Sequence, residues 1–399
     1  MFQRLSPLLA ACFAAGCVAY EADPTDVATV AAEARLHPGG TFTLAEAIAT
    51  ALRQNPELLA LEARARAAGA VTEPIEVEAE YRSELESVAV LLDPIALLGL
   101  GARGAAIDVN EAEARAAVAD LAVARWRTAA AVAEEFALAS QLESLRVPQV
   151  GVDVDAFERA GLAAPAVAQR LRAAQAAAHA EDLALLLERE RWLSRLRTLL
   201  GLAPGTEVTL RLPAEPVVAQ PPADLDAVLS RPDLALALAR LHVADAEFRR
   251  AVADQYPSIV LGPEIPLRGG MLEAMAVLRL PIGMAGRAEA ARERREAARA
   301  ELAAAWVRAG NEAHTADQEL AAAESAASAA ASAAEAHAQL LTVAVAGLEV
   351  EVDGFDRAAE LAGMAVTTAT ERRKAVAEQV RARVARAVAF GWPFVGGAS

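Results

Sequence analysis

The five histidines are the side chains of this chain best suited to bind a metal ion or to move a proton near neutral pH. No two of them stand three or four residues apart, the spacing that places two ligands on one helix face. The chain also has no G-x-S-x-G motif and no glycine-rich phosphate loop after a strand. We therefore predict no catalytic, metal or cofactor-binding residues, and a protein that is not an enzyme. The histidines are His37, His179, His242, His314 and His337.

The only two cysteines, Cys12 and Cys17, lie near the start of the chain after Arg4 and a short apolar run. That pattern is typical of a secretory signal peptide, here 1–16, and the run is too short for a membrane-spanning helix. Ala14-Ala15-Gly16-Cys17 resembles a bacterial lipoprotein processing site, at which Cys17 would become the acylated N-terminus. Cys12 is the alternative processed residue. Both cysteines could instead be incidental residues of an ordinary signal peptide. After processing at Cys17 no cysteine remains except the modified one, so we expect no disulfide and no thiol catalysis.

The composition favours long, closely packed helices. Aromatic residues are only 4% of a chain whose hydrophobic fraction is 55%, and much of that fraction is alanine. Alanine is the best helix former, and its small side chain lets helices approach closely. The net charge of −16 argues against a nucleic-acid partner. Three tryptophans in predicted helices, Trp126, Trp192 and Trp306, are interpreted as packing anchors.

Two nearly identical stretches, "NPELLALEAR" at 55–64 and "RPDLALALAR" at 231–240, indicate an internal duplication. The first follows a helix that begins with a capping box, Thr43 and Glu46. Proline disfavours helical geometry in the residue before it and suits the first turn of a new helix. In each copy we therefore expect one helix to end before the proline and the next to begin there, continuing to about residues 71 and 255.

The duplication extends into two long alanine-rich helical segments that begin near Arg103 and Arg287. Each runs to an Ala-Gly-Leu tripeptide, at 160–162 and 346–348, and a long returning helix follows. The spans from each arginine to the glycine of its tripeptide have almost the same length. We predict two long helical hairpins with bends at these glycines. The first outgoing helix should be broken near residues 148–151, because only this copy has a proline there.

Between the short and long helices of each copy, the sequence predicts a β-hairpin, at about 75–95 and about 257–282. Residues 75–86 alternate strictly between apolar and charged side chains. One apolar and one charged face are what a strand between lipid and a water-filled lumen needs. A surface strand of a soluble sheet would show the same alternation. The lumen candidates on the charged face are Glu76, Glu78 and Glu80.

Two features argue against membrane strands. Pro263 and Pro266 fall inside the outgoing strand of the second hairpin, where proline belongs only at edges or bulges. No aromatic girdle is present, and each strand is at or under the length that a membrane strand requires. Four strands cannot close a barrel alone, since such barrels start at about eight strands. Closure would need several copies of the chain.

These residues resemble the TolC-type outer-membrane channels of bacterial tripartite efflux pumps. The resemblance runs in order from residue 42 to 390. The segment "DPIALLGLGARG" resembles the heavy-metal, CzcC-like branch more weakly. The carrying motifs are "FTLAEAIATALRQNPELLALEARARAA", "LSRPDLALALARLHVADAEFRRA", "LRTLLGLAPGTEVTL", "LRLPIGMAGRAEAARERREAARAEL" and the paired Ala-Gly-Leu turns.

The resemblance implies a mainly α fold with a small β part. Three subunits, each giving four strands, would form one twelve-stranded β-barrel in the outer membrane, and their paired helices an α-barrel through the periplasm. Such a homotrimer is a passive export duct that docks to a periplasmic adaptor and an inner-membrane pump, and it needs no cofactor. The implied order is signal peptide 1–16, linker 17–41, repeat 42–210, linker 211–223, repeat 224–391 and tail 392–399.

The resemblance also implies a periplasmic tip at the two glycine turns, where the channel opens and the adaptor docks. The docking residues would be Ala160, Gly161, Leu162, Ala346, Gly347 and Leu348. Threefold symmetry would turn nearby acids into rings that favour cations, although they could equally be solvated loop residues. These acids are Asp153, Asp155, Glu349, Glu351 and Asp353.

One further hypothesis stays open from the sequence. A lipid-anchored periplasmic coiled-coil scaffold of the same ancestry, without a complete membrane barrel, would also explain the helices. The prolines in the strand and the missing aromatic girdle favour this scaffold. The alternating segment 75–86 and the intact duplication favour the channel. No residue pattern assigns the exported substrate.

Overall fold

The computed structural model describes most of the chain from Gly39 onward, within one compact unit that begins at that residue. For residues 77–82, 88 and 225 the backbone alone is described. The described residues are 39–71, 77–82, 87–94, 101–142, 145, 147–148, 151–161, 163–211, 225–266, 271, 273–281, 284–347 and 354–391.

Long helices dominate the described residues, with short strands between them. In chain order the elements are β1 Gly40–Phe42, α1 Leu44–Gln54, α2 Pro56–Gly69, β2 Val77–Arg82, β3 Ser87–Leu92, α3 Gly101–Leu142, α4 Val154–Arg159, α5 Pro165–Leu199, β4 Val208–Leu210, α6 Leu225–Leu229, α7 Pro232–Ala253, β5 Ser258–Pro266, β6 Glu273–Arg279, α8 Ala285–Ala346 and α9 Gly354–Ala389.

The predicted start of the first helix is confirmed. The Thr43 hydroxyl accepts a hydrogen bond from the Glu46 backbone N–H at 3.3 Å, and the Glu46 carboxylate accepts one from the Thr43 N–H at 2.8 Å. Asn55 then ends α1 and caps α2, because its side-chain oxygen accepts from the N–H groups of Glu57 and Leu58. The helix–proline–helix pattern read from the sequence therefore forms as expected.

The two helical hairpins differ in their outgoing arms, as predicted. In the second hairpin, α8 is one uninterrupted helix of 62 residues. In the first, α3 ends at Leu142 and helix resumes only with the short α4 at Val154. The returning helices α5 and α9 have nearly equal lengths of 35 and 36 residues. The break thus lies where proline was expected to interrupt the helix.

Buried residues on α8 recur every seven positions where it packs on α9. That spacing is typical of a coiled-coil seam, in which the same helix face returns to its partner every two turns. Most of these residues are alanine, so the two backbones lie close together. The buried set is Ala313, Leu320, Ala327, Ala334 and Leu341.

Both predicted β-hairpins are present and join into one antiparallel sheet of order β2-β3-β5-β6. One expectation is wrong: β2 ends at Arg82 and β3 begins at Ser87, so the alternating segment 75–86 is not a single strand. The alternating polarity continues to residue 86 and does not mark the end of β2. A second sheet, the parallel pair β1-β4, was not predicted.

In each half of the chain, the end of the returning helix is bound to the residue before the helix-starting proline. The Asn55 side-chain amide donates to the Leu199 carbonyl at 3.0 Å. The Arg231 guanidinium donates to the Ala389 carbonyl at 3.2 Å. Left-handed glycines follow both helix ends, with φ of 69° at Gly201 and 65° at Gly391. This correspondence is what a duplication predicts, and the duplication itself remains a prediction.

Two of the three tryptophans pack as expected. Trp126 and Trp192 are buried, whereas Trp306 on α8 is 40% exposed in the single chain. Trp306 is therefore packed less completely than the other two within one copy.

Candidate functional site

The four-stranded sheet has an apolar face that the rest of the chain leaves open. On β5, Ile259, Leu261 and Ile265 point to one side and are each more than 40% exposed. Leu278 of β6, paired in register with Ile259, is 58% exposed. Strand residues two apart share a face, and directly paired residues of neighbouring strands do too. This face is therefore continuous across both strands.

The other face of the sheet carries buried and acidic positions. Val260 of β5 is buried against Ala89 and Leu91 of β3. Glu264 lies on this same face, is 9% exposed, and accepts a hydrogen bond from the hydroxyl of Ser87, which is also buried. The hydrogen bond satisfies part of the hydrogen-bonding capacity of a carboxylate that would otherwise be costly to bury.

Backbone register aligns three glutamates in one row across the sheet. Glu80 pairs with Ala89, Ala89 with Glu264, and Glu264 with Glu273. Glu78 pairs one step along, with Leu91. The sequence missed Glu264 and Glu273 because the register between two hairpins that lie far apart in the chain cannot be read from alternation alone. Of the predicted lumen residues, Glu76 lies outside the described residues.

Proline in the central strand β5 is accommodated by a local gap in the ladder. Pro263 pairs with Ala274 of β6. On the other side of β5, the pairing with β3 is interrupted at Gly262 and Pro263. A Cβ placed on Gly262 would stand 1.8 Å from the Val90 carbonyl oxygen, so only glycine fits there. Proline has no N–H to donate to a ladder, and Pro263 lies where the pairing with β3 is interrupted.

At the far end of the first hairpin, the two predicted tip acids have partners within the chain. Asp153 caps α4, accepting from the Ala156 N–H at 3.0 Å. Asp155 accepts from the Arg172 guanidinium of α5 at 2.5 and 3.0 Å, and Glu158 accepts from the same arginine. These hydrogen bonds, with Asp155 first, raise the pKa of Arg172. Within one copy, Asp155, Glu158 and Arg172 therefore form an ion-pair network that joins α4 to α5.

The two predicted tip turns lie next to a shared apolar cluster. Gly161 has φ of 71° and follows α4, while Gly347 ends α8 with φ of −84°. Phe157 of the first hairpin and Phe355 of the second pack edge to face, with ring centroids 5.0 Å apart. Ala160 is the C-terminal cap of α4, and Ala346 is the last residue of α8.

An ion pair also joins the hairpins beside this cluster, between Arg170 of α5 and Asp356 of α9. Several predicted site residues lie outside the described residues and stay predictions. They are Cys17, Leu162, Leu348, Glu349, Glu351 and Asp353.

Among the described residues, no helix is both long and apolar enough to cross a bilayer. The same residues contain no group of three or more histidine, cysteine or acidic side chains arranged to hold a metal ion.

Known proteins with the same arrangement of elements are found among solved structures. No family model and no curated protein matches the chain. Among solved structures, the outer-membrane channel OprN superposes with a TM-score of 0.71 at 17% identity, covering 95% of this chain and 99% of that one. The outer membrane protein VceC from Vibrio cholerae gives 0.66 at 17%, covering 88% and 96%. The MtrE outer membrane channel of Neisseria gonorrhoeae, in its open state, gives 0.67 at 18%, covering 88% and 89%.

The chain has the fold of the TolC-type outer-membrane channels.

This channel fold extends over the helical hairpins and the four-stranded sheet together, because the similarity covers about nine tenths of each chain or more. Sequence identities this low support the arrangement of the elements, but they do not assign a role to any individual residue. The roles of the tip and sheet residues therefore rest on their own geometry.

Proposed function

We propose that the chain is the subunit of a homotrimeric outer-membrane channel that serves as a passive export duct of a tripartite efflux system. The observation that carries the proposal is the sheet β2-β3-β5-β6. One face is apolar and exposed, and the other carries a row of glutamates beside a buried apolar cluster. A soluble protein rarely leaves such a continuous apolar surface open. In a channel it would face lipid, and the glutamate row would face the lumen.

Three copies are proposed because one sheet cannot close. In the described chain β2 and β6 are the outer strands, and each has an edge without a strand partner. Unpaired strand edges cannot be left in hydrocarbon, so a membrane location requires that edges of neighbouring copies pair. Three four-stranded sheets give the twelve-stranded barrel that the family resemblance implies.

The helical hairpins would extend from the sheet into the periplasm. The strands join the short helices to the long ones, whereas the turns at Gly161 and Gly347 join the long helices to the returning ones. The turns therefore lie at the opposite end of each hairpin from the sheet. We assign them to adaptor docking, with Ala160, Leu162, Ala346 and Leu348. Export would be driven by the inner-membrane pump.

Further parts of the proposal concern the termini and the charged tip. Acylated Cys17 would anchor the mature chain to the outer membrane. A single acyl chain binds only marginally, so the barrel would supply the remaining membrane attachment. Acids near the tip turns, Asp153, Asp155, Glu349, Glu351 and Asp353, would favour cations at the periplasmic entrance.

The scaffold hypothesis loses one of its two supports. The prolines counted against a membrane strand, yet β5 is continuous from Ser258 to Pro266 and pairs on both sides. The missing aromatic girdle is the support that remains.

Single-channel recording in planar bilayers tests the proposal. The purified protein should give discrete, cation-selective current steps, and the paired substitutions Glu264→Gln and Glu273→Gln should lower the selectivity. Glu289→Gln on the exposed side of α8 is the matched control and should leave selectivity unchanged.

A closed tip could suppress the current, so Arg170→Ala, which removes the ion pair between the hairpins, is recorded in parallel. Silence from both proteins, while each remains trimeric in detergent, would contradict the channel and support the scaffold.

A further inference from the structure

A cavity of about 500 Å³ lies between the two returning helices, α5 and α9, beside the last residue of α3. Its apolar lining includes Leu142 of α3 and two residues of α5, Leu185 and Trp192, and all three are buried. That volume is within the range of cavities that accommodate a small organic molecule.

The charged lining of this cavity has an excess of positive charge. Five cationic side chains stand against three acidic ones. In three other cavities of the described chain, cationic and acidic lining residues are equal in number. The excess is notable in a chain whose net charge is −16, and it favours an anion at this place. The cationic residues are Arg191, Arg195, Arg373, Lys374 and Arg381.

Three of these cations are bound to acids of the same chain. Arg373 donates to Glu181 across the cavity, from α9 to α5. Arg381 donates to Glu378 on its own helix. Arg195 donates to Glu135 of α3, which lies outside the lining. These pairs fix the walls of the cavity and leave little of their charge for a ligand.

The other two cations, Arg191 of α5 and Lys374 of α9, are exposed and make no hydrogen bond or ion pair among the described residues. They belong to opposite walls of the same cavity. Glu188 is the one acidic lining residue that also has no such partner there. A ligand would therefore meet two available cations and one available acid.

The cavity opens on the side of the helices opposite α1. Leu193 and Leu196 of α5 are buried in the cluster that contains Ile48 of α1. Arg191 lies two residues before Leu193, which is about 200° around a helix of 3.6 residues per turn. Arg191 therefore lies on the face of α5 that is turned away from α1. An additional helix inside a channel would obstruct the bore, so in the proposed trimer α1 lies outside and the cavity faces the bore.

We propose that this cavity is a binding site in the bore for organic anions. Arg191 and Lys374 bind a phosphate, carboxylate or sulfonate group, to which guanidinium and ammonium groups donate charge-assisted hydrogen bonds. The lining around Leu185 and Trp192 contacts the apolar body of the molecule. Glu188 weakens the binding by repulsion. The inference rests on the channel proposed above and assigns a class of molecule to one place in it.

Lys374 is the only lysine of the chain, so a lysine reagent reports on this site. The probe is pyridoxal 5′-phosphate, an anion with an aromatic body. Its aldehyde condenses with a lysine amine with loss of water, and borohydride then reduces the imine to a stable amine that peptide mass spectrometry locates. In the detergent-purified protein, labelling of Lys374 should saturate with probe concentration, and naphthalene-2-sulfonate should protect against it.

Substitution of the two other available charges should act in opposite directions. Arg191→Gln should lower the apparent affinity for the probe about fivefold, and Glu188→Gln should raise it about fivefold. These are the factors expected for one charge about 4 Å away in water. A change in the reverse direction from either variant, or no change from both, would overturn the site.

The matched control moves the lysine along α9 by combining Lys374→Arg with Arg357→Lys. Arg357 is exposed and makes no ion pair among the described residues, and it does not line the cavity. Labelling at this position should rise linearly with probe concentration and should resist naphthalene-2-sulfonate. Saturable, protected labelling of the control would overturn the site. Equal protection of Lys374 by inorganic phosphate would show that no apolar body is recognised, and the ligand class would be wrong.

Single-channel recording separates this site from the channel itself. Naphthalene-2-sulfonate should interrupt the current of the unmodified protein, and Lys374→Gln should weaken the block. If the protein conducts without saturable labelling and without block, the site is wrong and the channel stands. Saturable labelling without block in a conducting protein would show that the cavity does not face the bore. If labelling saturates in a trimeric protein that is silent in bilayers, the cavity binds anions and the channel fails.

Discussion

At the scale of single residues, Arg231 makes the most connected polar contact of the described chain. Its guanidinium is 5% exposed, donates to Asp233 and Glu312 at 2.7 Å, and lies over the Trp126 ring at 5.7 Å. Burial opposes the ionisation of Asp233, but its hydrogen bonds with Arg231 lower the pKa of that carboxyl. The sequence identified position 231 as the residue before a helix-starting proline and gave no sign of Trp126, Glu312 and Ala389 as its partners, because they come from α3, α8 and α9.

Replacing Arg231 tests how much its contacts contribute to the stability of the protein. Arg231→Met should lower the free energy of unfolding by about 2 kcal/mol, because it leaves Asp233 half-buried without its partner. The figure is moderate because Asp233 and Glu312 keep some contact with solvent. Urea denaturation followed by circular dichroism measures the change. Arg240→Met, on the exposed side of the same helix α7, is the control. An equal loss from both variants would show that Arg231 contributes only a surface charge.

The two tip glycines provide a matched pair at the same scale. Gly161 has a positive φ and open space around its Cβ position, whereas Gly347 has a negative φ. Gly161→Ala should therefore cost about 1 kcal/mol of stability through backbone strain. Gly347→Ala should be near neutral. Thermal unfolding of each variant gives the comparison, and a larger loss from Gly347→Ala would contradict the assigned turn geometry.

At the scale of elements, the sequence predicted best where proline, glycine and caps mark a boundary. The capping box at Thr43, the helix restart at Pro56 and the break before α4 all formed near the expected residues. The end of β2 at Arg82 was missed because residues 83–86 contain neither proline nor glycine and continue the alternation. The strands β1 and β4 have three residues each, too few for a periodic pattern to emerge.

The sheet register gives a prediction that alternation alone could not. Gly262→Ala should lower the melting temperature, because its Cβ would collide with the Val90 carbonyl and push β3 from β5. The cost should be in the range of about 1–3 kcal/mol expected for overpacking.

Gly310→Ala in α8 is the control for the sheet variant and should act in the opposite direction. Nothing lies within 4 Å of its Cβ position, and alanine stabilises a helix interior by roughly 0.5–1 kcal/mol relative to glycine. A stable Gly262→Ala protein would show that β3 and β5 do not approach as closely as described.

At the scale of the whole molecule, the fold and the repeated order of elements could be predicted from the sequence because caps, prolines, glycines and alternating polarity are local features of the chain. The function of the sheet could not, since its two faces appear only once two distant hairpins pair. That pairing brings Ser87 to Glu264 and buries Val260 against Ala89 and Leu91. The proposed channel therefore depends on one claim: the apolar face of β5 contacts lipid.

The most direct test is a nitroxide scan along β5, residues 258–266, in the protein reconstituted into liposomes. Labels at Ile259, Leu261 and Ile265 should be relaxed strongly by oxygen, which concentrates in lipid, and weakly by a water-soluble nickel chelate. Labels at Val260 and Glu264 should show the reverse. Equal access of the nickel chelate to both sets would place the sheet in water and contradict the channel.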